Sequence, residues 1–404
     1  MTKFIQYNPL DSEIFANPYP CYEGILNNEP VHWNEMFKLW MIMGYDDIIT
    51  FYKDKRLSSQ RVPLIMKRIP EEIRGKMNPL SSSLSLWMLF LDAPAHTRIR
   101  SLISKVFTPK YIDTLKSDIK IITEELVDSF VEKGQFDIIG DFAYPLPVIV
   151  IARLLGIPEE DRDLLKVWSD GIAAILGAPS FTSQIAINAN KYISEQNEYF
   201  RKIVKERRKN PQDDLISLLI HAEEQNEILG EEEILATCSL LLFGGHETTT
   251  NLIGNGMLAL LNHDSEMQKL RNDPTLIAPA VEEMLRFDSP VQWNNRIAKE
   301  NIEFAGHHIK KGQAVMLVIG SGNRDSQKFS NPQKFDITRK KHKHLAFGYS
   351  SHFCIGAALA RLEGKYAVNT LLQKIENIEL DCSELQWRKD LGFRGLVNFP
   401  VKIN

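Results

Sequence analysis

One cysteine of the chain, Cys354, stands where its sulfur could bind a metal. It precedes Gly356 and a run with strong helix-forming character, residues 357–368, and it follows a stretch without helix character that contains His352. A thiol just before a helix N-terminus lies close to amide dipoles that favour the thiolate, which is the form that binds metals. The sequence therefore predicts a metal-binding loop that leads into a helix.

Two other interpretations of Cys354 rest on the same part of the chain. His342, His344, His352 and Cys354 could form a zinc site, although structural zinc sites typically contain a Cys-x-x-Cys pair and this chain has none. Cys354 could also be a buried structural cysteine, which is common for a lone cysteine. The metal-binding loop is favoured because matching motifs occur elsewhere in the chain.

A second candidate site lies in the middle of the longest helical pattern, Glu231 to Asn262. At 1.5 Å per residue this helix would be on the order of 48 Å long, and Gly244-Gly-His-Glu-Thr-Thr-Thr250 lies at its centre. Each glycine costs a helix about 1 kcal/mol relative to alanine, and threonine is also a poor helix former. Such a local conflict often marks a functional position. Close helix packing at the glycines is the structural alternative.

These two stretches resemble the cytochrome P-450 superfamily. The superfamily's haem-binding loop is Phe-Gly-x-Gly-x-His/Arg-x-Cys-x-Gly, and the matching residues here are Phe347, Gly348, His352, Cys354 and Gly356. Ser350 stands in place of the second glycine, which predicts a slightly different turn because serine resists backbone angles that glycine adopts. The resemblance implies that Cys354 is the axial ligand of the iron of haem b.

The motif in the long helix resembles the acid–alcohol pair of the superfamily's oxygen-binding groove. Gly244-Gly245-x-Glu247-Thr248 matches Ala/Gly-Gly-x-Asp/Glu-Thr. The resemblance implies that the small residues leave room for O2, that Thr248 donates a hydrogen bond there and that Glu247 relays protons from solvent. Both roles require groups within hydrogen-bond reach.

Further motifs of the superfamily imply residues that hold the haem and its loop. The two haem carboxylates need cations when they are buried, and the resemblance assigns this role to His96, Arg100, Arg296 and His352. His96 and Arg100 are four residues apart and so share one helix face. Glu283-x-x-Arg286 matches the superfamily's buried ion pair, with Arg339 as the expected second partner; these three residues would be structural.

Composition and patterning predict one globular domain, residues 1–404, that is mainly α with minor antiparallel β. Apolar periodicity predicts helices, and the haem would lie between the long central helix and the helix after the cysteine loop. The predicted helices are 46–53, 96–107, 110–133, 145–155, 159–176, 183–208, 213–224, 231–262, 265–272, 275–287 and 357–374, and the predicted strands are 31–33, 39–43, 294–298, 302–304 and 314–318. The proline-rich residues 57–92 are predicted to be a long loop, and loops of that length are usually functional.

The substrate pocket is predicted from positions that line it in the superfamily. These positions are mostly apolar: residues 84–90, Leu240, Phe243, Gly244, Val291, Gln292, Trp293 and Phe393. An apolar lining with a few polar groups suits a large lipophilic molecule. The chain resembles soluble bacterial members that tailor polyketides, macrolides or fatty acyl chains, which implies hydroxylation or epoxidation in secondary metabolism such as antibiotic biosynthesis.

The resemblance implies a monooxygenase that uses O2 and receives electrons from a ferredoxin or flavodoxin with its reductase, since no Gly-x-Gly-x-x-Gly follows a strand. The basic run 339–343, with Lys105 and Lys110, is predicted to dock that acidic partner; a solvated basic loop is the alternative. Four widely spaced cysteines predict a cytoplasmic location. The N-terminus predicts no membrane anchor, the net charge predicts no nucleic-acid partner, and the protein is predicted to be a monomer. The alternative functions are a peroxide-driven haem-thiolate enzyme and a haem-thiolate recruitment module without turnover.

Overall fold

Helices make up most of the protein. The structure is a computed structural model that describes residues 7–177, 182–224, 227–340 and 343–403. The helices, in chain order, are α1 (Ser12–Ala16), α2 (Tyr19–Asn28), α3 (Tyr45–Lys53), α4 (Val62–Arg68), α5 (Glu71–Arg74), α6 (Asn78–Leu86), α7 (Ala95–Val106), α8 (Pro109–Thr114), α9 (Lys116–Val131), α10 (Pro145–Leu154), α11 (Arg162–Gly177), α12 (Ser183–Arg207), α13 (Leu215–Ile220), α14 (Glu231–Leu261), α15 (Asp264–Asn272), α16 (Ile277–Phe287), α17 (Ile319–Gly322) and α18 (Ala357–Lys374).

The strands form small sheets beside the helices. They are β1 (Val31–Asn34), β2 (Leu39–Ile42), β3 (Leu57–Ser58), β4 (Gln135–Asp137), β5 (Glu223–Glu224), β6 (Glu227–Ile228), β7 (Asn294–Ala298), β8 (Ile302–Phe304), β9 (His307–Ile309), β10 (Ala314–Leu317), β11 (Ile378–Leu380) and β12 (Pro400–Ile403). The largest sheet has the order β1-β2-β10-β7-β3, in which β10 runs parallel to β2 and the other pairs are antiparallel. The predicted fold class, mainly α with minor antiparallel β, is confirmed, with this one parallel pair added.

Helix α14 positions much of the candidate site. It is 31 residues long and so extends about 46 Å. It packs against α10, α12, α16 and α18, and it is buried around most of its circumference, as expected of a helix that is apolar on all sides. Three glutamates in its first turn, residues 231–233, lie where the helix dipole favours negative charge.

The two adjacent glycines of α14 have different surroundings. A Cβ atom at Gly245 would come within 3.2 Å of Ile151 Cδ1, so the absence of a side chain lets α10 pack closely. A Cβ atom at Gly244 would meet no atom within 4 Å, and Gly244 is exposed. Close packing therefore explains Gly245, whereas Gly244 borders open space.

The segment 57–92 is not the long loop that its prolines indicate. It contains α4, α5 and α6 and a 3-10 turn at Met88–Phe90. Pro63 and Pro79 lie in the first turns of α4 and α6, where the missing N–H would have had no helical partner in any case. The prediction was wrong because the prolines begin helices here.

Two predicted helices are also shorter or divided. Residues 110–133 form α8 and α9, which meet at Leu115. Of residues 213–224 only α13 is helical. Its start is set by the Asp214 carboxylate, which accepts a hydrogen bond from Ser217 N (2.8 Å). None of the helices in the described ranges has both the length and the apolar character that a membrane crossing requires.

Candidate active site

The cysteine loop is a tight turn held by its own backbone. Cys354 N donates to Phe347 O (2.8 Å), and Gly348 N donates to Leu345 O (2.8 Å). Gly348 has φ +71°, a left-handed conformation in which a side chain is strained. Helix α18 begins just after the loop, with Gly356 as its N-cap. The sequence thus places the sulfur at a helix N-terminus, as its pattern predicts.

The thiol of Cys354 has competing influences on its charge. The residue is exposed, yet the protein around it removes part of its solvent, which raises its pKa. The Gly356 amide and the guanidinium groups of Arg100 and Arg361 act in the opposite direction and favour the thiolate. Of these groups, Arg361 was not singled out by the sequence analysis.

Ser350 occupies a left-handed backbone conformation, with φ +61°. This conformation costs a non-glycine residue roughly 1–2 kcal/mol. We therefore predict that Ser350→Gly raises the stability of the haem-loaded protein by about 1 kcal/mol, part of the gain being offset by the greater entropy of glycine in the unfolded chain. Thermal unfolding monitored by haem absorption would measure it. Ser351→Gly is the control, because Ser351 has no such strain; equal or lower stability of Ser350→Gly than of the parent protein would contradict the prediction.

A cluster of basic side chains surrounds the loop on one side. The rings of His96 and His352 are 4.1 Å apart, and Ser59 Oγ lies 3.1 Å from His352 Nε2. Burial and the neighbouring Arg100 lower the pKa of His96 to about 4. Burial, Arg296 and His96 lower the pKa of His352 to about 2. Both shifts favour the neutral form of the ring.

The cluster contains more positive charge than nearby acids offset. Arg296 is 6% exposed, and Arg61, which the sequence analysis missed, has its pKa lowered to about 9 by burial and by Arg296. Asp92 is the acid whose charge acts on both arginines. Within the described ranges, the buried His96 Nε2 has no hydrogen-bond partner. This arrangement favours a bound anion.

On α14, Thr248 and Glu247 face different surroundings. Thr248 Oγ1 donates to Gly244 O (3.0 Å) and is partly exposed beside the open space at Gly244. Glu247 is 1% exposed. Its carboxylate accepts a hydrogen bond from Arg388 Nη1, which lies 2.9 Å from Oε1 and 3.0 Å from Oε2. Arg388 lies in a segment without a motif, so sequence reasoning had no signal for it.

Several of the predicted pocket residues lie together. The ring of Phe243 is 5.4 Å from that of Trp87 and 5.9 Å from that of Phe393, and Leu240 packs against the same apolar cluster. Val291 pairs with Phe393 through a β-bridge. These contacts join the residue after α6, helix α14 and the C-terminal segment in one aromatic cluster.

Two of the predicted pocket positions contact other groups. The Gln292 amide donates to Ser289 O (2.8 Å) and to Tyr19 Oη (3.2 Å). Trp293 packs against a cluster that contains Tyr19 and other residues of the N-terminal segment. These contacts give both side chains a structural role. That they also line the substrate pocket stays a prediction.

Glu283, Arg286 and Arg339 form a buried network. Arg286 donates to both carboxylate oxygens of Glu283 (2.7 and 2.8 Å), and Arg339 Nε lies 3.1 Å from Glu283 Oε2. Arg286 also donates to the carbonyls of Asn323, Pro332 and Lys334. The expected contact between Glu283 and Arg339 is present, and it connects α16 to the segment that leads into the cysteine loop.

The structure does not favour a zinc site at Cys354. His344 Nε2 lies 3.2 Å from Glu282 Oε2 and His352 contacts Ser59, while His342 lies outside the described residues. Within the described ranges, the group that could hold a metal ion consists of Asp170, His246 and Glu247. That group does not contain Cys354.

The chain belongs to the cytochrome P450 family, which defines the class of protein. Residues 72–390 match the family described as "Cytochrome P450". "Polyketide biosynthesis cytochrome P450 PksS" of Bacillus subtilis (strain 168) is 39% identical over 99% of both chains, and "Biotin biosynthesis cytochrome P450" of the same organism is 39% identical over 96% of this chain and 97% of that protein. The solved structure of "P450BioI in complex with hexadec-9Z-enoic acid ligated Acyl Carrier Protein" has a TM-score of 0.90 at 37% identity, covering 97% of this chain and 99% of that one.

The family identifies the protein as a haem-thiolate monooxygenase with haem b as its cofactor. The residues present fit that group. The loop offers a thiolate ligand at a helix N-terminus, the surplus of buried cations suits two carboxylates, and the orphan His96 Nε2 is available to one of them. Gly244 leaves space on the face of α14 beside Thr248.

Proposed function

We propose that this monooxygenase hydroxylates or epoxidises a long lipophilic chain of the polyketide or fatty acyl type. The observation that carries the proposal is the aromatic cluster of Trp87, Phe243 and Phe393, in which Phe243 directly precedes Gly244 on α14 and Phe393 is partly exposed. Apolar walls with few polar groups bind lipophilic molecules. The names of the relatives support the substrate class, since one is assigned to polyketide biosynthesis and another is bound to a fatty acyl carrier protein.

In this proposal Cys354 holds the haem iron, and His96, Arg100, Arg296 and His352 hold the two carboxylates. When bound, the haem supplies the activation of O2 and the transfer of one oxygen atom, the other leaving as water. The protein's own residues orient the substrate at the aromatic cluster and supply protons. The cysteine loop is shaped by Phe347, Gly348 and Gly356. The segment that leads into it is held by Glu283, Arg286 and Arg339.

Proton supply is assigned to Glu247 and Thr248. Thr248 can turn its hydroxyl from the Gly244 carbonyl toward a ligand on the open face of the helix, because that face is accessible. Glu247 is held by Arg388 within the protein. To deliver a proton toward Thr248, its side chain must rotate away from that guanidinium, so we expect Arg388 to control when the acid acts.

Binding of the substrate class can be tested by ligand-induced changes in the spin state of the ferric haem. A long-chain fatty acid, the same acyl group on a carrier protein and a macrolide would be compared. The proposal expects an acyl chain, free or carrier-bound, to bind, and Phe393→Ala to weaken its binding about tenfold through lost apolar contact. Leu380→Ala, at an exposed apolar position on β11, is the matched control. No response to any long acyl chain would contradict the proposal.

The electron donor in this proposal is an acidic ferredoxin or flavodoxin that docks near the cysteine loop. Lys340 and Lys343 are exposed, whereas Arg339 is occupied by Glu283 and Lys341 lies outside the described residues. We predict that the double variant Lys340→Glu, Lys343→Glu slows haem reduction severalfold at low salt and little at high salt, because charge steering is screened by salt. Stopped-flow reduction would measure this, with Lys202→Glu, on the exposed face of α12, as the control. Equal rates at low salt would contradict the docking site.

Intact proton-supply residues favour turnover over the two alternatives. A peroxide-driven enzyme would replace the acid–alcohol pair, and a recruitment module would lack it; this chain has both Glu247 and Thr248. Oxidation of a bound acyl chain, measured with a surrogate ferredoxin and reductase, distinguishes the monooxygenase from the peroxide-driven enzyme and from the recruitment module. The proposal also includes action as a monomer and a cytoplasmic location, the latter in line with four cysteines that are all free.

A further inference from the structure

A group of titratable side chains lies on the far side of Glu247, where the proposed mechanism makes no use of it. His246 is 0% exposed. Its Nε2 lies 3.9 Å from Glu247 Oε2 and 4.0 Å from Asp170 Oδ1. Asp170 lies on α11 with 39% of its side chain exposed. The three groups therefore extend from solvent to the buried acid of α14.

The hydrogen bonds of His246 identify which nitrogen can exchange a proton. Nδ1 lies 3.0 Å from Leu242 O, and because a carbonyl only accepts, Nδ1 carries a hydrogen. Ser169 Oγ lies 3.2 Å from the same nitrogen. In the neutral ring Nε2 is then an acceptor, and it faces two carboxylates that also accept. Both Nε2 and Asp170 Oδ1 are buried, and neither has a hydrogen-bond partner among the residues that the structure describes.

Three acceptors that face one another require a proton or a cation between them. The separations of 3.9 and 4.0 Å exceed a direct hydrogen bond and suit a single water bonded at about 2.8 Å to each end. A divalent cation is disfavoured because Arg388 already contacts both oxygens of Glu247. Lys166, 3.8 Å from Asp170 Oδ2, adds a further positive charge.

We propose that His246 carries protons from Asp170 to Glu247, and this rests on the proposed role of Glu247. A proton from solvent enters at Asp170 and reaches His246 Nε2 through the bridging water, while Nδ1 keeps the hydrogen that it donates to Leu242 O. The same Nε2 proton then leaves to Glu247 Oε2, so the ring returns to its neutral form and no other bond changes. His246 acts through Glu247 and is a positioning residue for the proton.

The other charged and titratable groups around Asp170, His246 and Glu247 are compatible with proton transfer through His246. From the segment before α10, the Tyr144 ring packs edge-on at 5.5 Å from His246; burial raises its pKa, so it stays protonated. Lys166 lies over that ring. From the C-terminal segment, Arg388 connects Glu247 to Asp390, whose pKa is raised by burial.

The test compares His246→Gln and Asp170→Asn with a matched control, His263→Gln. His263 lies just after α14 and makes the same Nδ1 contact, with Ala259 O (2.7 Å), but packs against Phe287 and Phe335. In the haem-loaded enzyme with a surrogate ferredoxin, we expect His246→Gln to lower product per O2 about tenfold and to change the solvent deuterium isotope effect. Asp170→Asn should lower product per O2 by less than His246→Gln does. The double variant should lower it by no more than His246→Gln, because both residues act on one path. The control should match the parent protein.

A second readout does not depend on turnover. In the ferrous carbon monoxide form, which is diamagnetic, 15N-histidine spectra should show one ring, absent from His246→Gln, that carries hydrogen on Nδ1 and whose Nε2 shift changes in Asp170→Asn. A ring protonated on Nε2 alone would overturn the proposal, as would additive losses in the double variant. Stoichiometric zinc that is lost in His246→Gln would overturn it in favour of a metal site. If His246→Gln forms as much product per O2 as the parent protein while Glu247→Gln forms less, the role of His246 is rejected and that of Glu247 stands. If Glu247→Gln also forms as much product per O2 as the parent protein, the proposed role of Glu247 is rejected.

Discussion

Arg286→Leu is expected to destabilise the protein by about 3–5 kcal/mol, the cost typical of breaking a buried ion pair by removing one partner. Arg286 and Glu283 are both 0% exposed. Leucine would leave the Glu283 carboxylate with Arg339 and the Asp336 amide and would also orphan three backbone carbonyls that Arg286 now satisfies. Since most domains are stable by only about 5–15 kcal/mol, little haem-loaded protein should accumulate.

The measurement is the yield of haem-loaded protein together with its unfolding midpoint in urea. Arg201→Leu is the matched control, because Arg201 forms an ion pair with Glu232 in which the two side chains are 44% and 61% exposed. Exposed pairs contribute about 0–1 kcal/mol, so this variant should resemble the parent protein. A loss below about 1 kcal/mol for Arg286→Leu would contradict the structural role of the network.

Thr248→Ala is expected to divert most of the oxygen consumed into hydrogen peroxide, with product per O2 falling roughly tenfold or more. Alanine removes the hydroxyl of Thr248, which is the partly exposed one of three consecutive threonines on α14. The helix itself should remain stable because alanine is the better helix former. The thiolate-type spectrum and substrate binding should therefore be unchanged, which separates a loss of proton supply from a loss of structure.

Thr250→Ala provides a closely matched control. Thr250 Oγ1 makes the equivalent bond one turn back, to His246 O (3.0 Å), but the residue is buried. Removing it should leave the ratio of product to peroxide unchanged. Product, peroxide and O2 would be measured in the same reactions, and unchanged coupling in Thr248→Ala would remove that hydroxyl from the mechanism.

The parts of the site that could be predicted from the sequence are those whose residues are close together along the chain. Cys354 and its turn, and the pair of Glu247 and Thr248, lie within short motifs that resemble those of the family. Arg388 could not be predicted, because its contact with Glu247 crosses 141 residues and nothing in its neighbourhood marks it. Arg61 could not be predicted either, because it differs from a surface arginine only in its burial, which the sequence around it does not indicate.

The fold was predictable where helices are long and periodic. Helix α14 is the clearest case, because its weakened centre and apolar length are both visible in the sequence. Strands of two to four residues such as β3 and β12 carry too little pattern, and the parallel pairing of β2 with β10 depends on tertiary contacts. The error in residues 57–92 had a different cause: proline is compatible with a helix start as well as with a loop.

The central claim is that the sulfur of Cys354 binds the haem iron, and the spectrum of the reduced carbon monoxide complex tests it most directly. The parent protein and Cys382→Ala, which changes another partly exposed cysteine, should both show the thiolate-type absorption band. Cys354→Ala should lose that band, and Cys354→His should shift it to the position typical of an imidazole ligand. An unchanged thiolate-type band in Cys354→Ala would contradict the account.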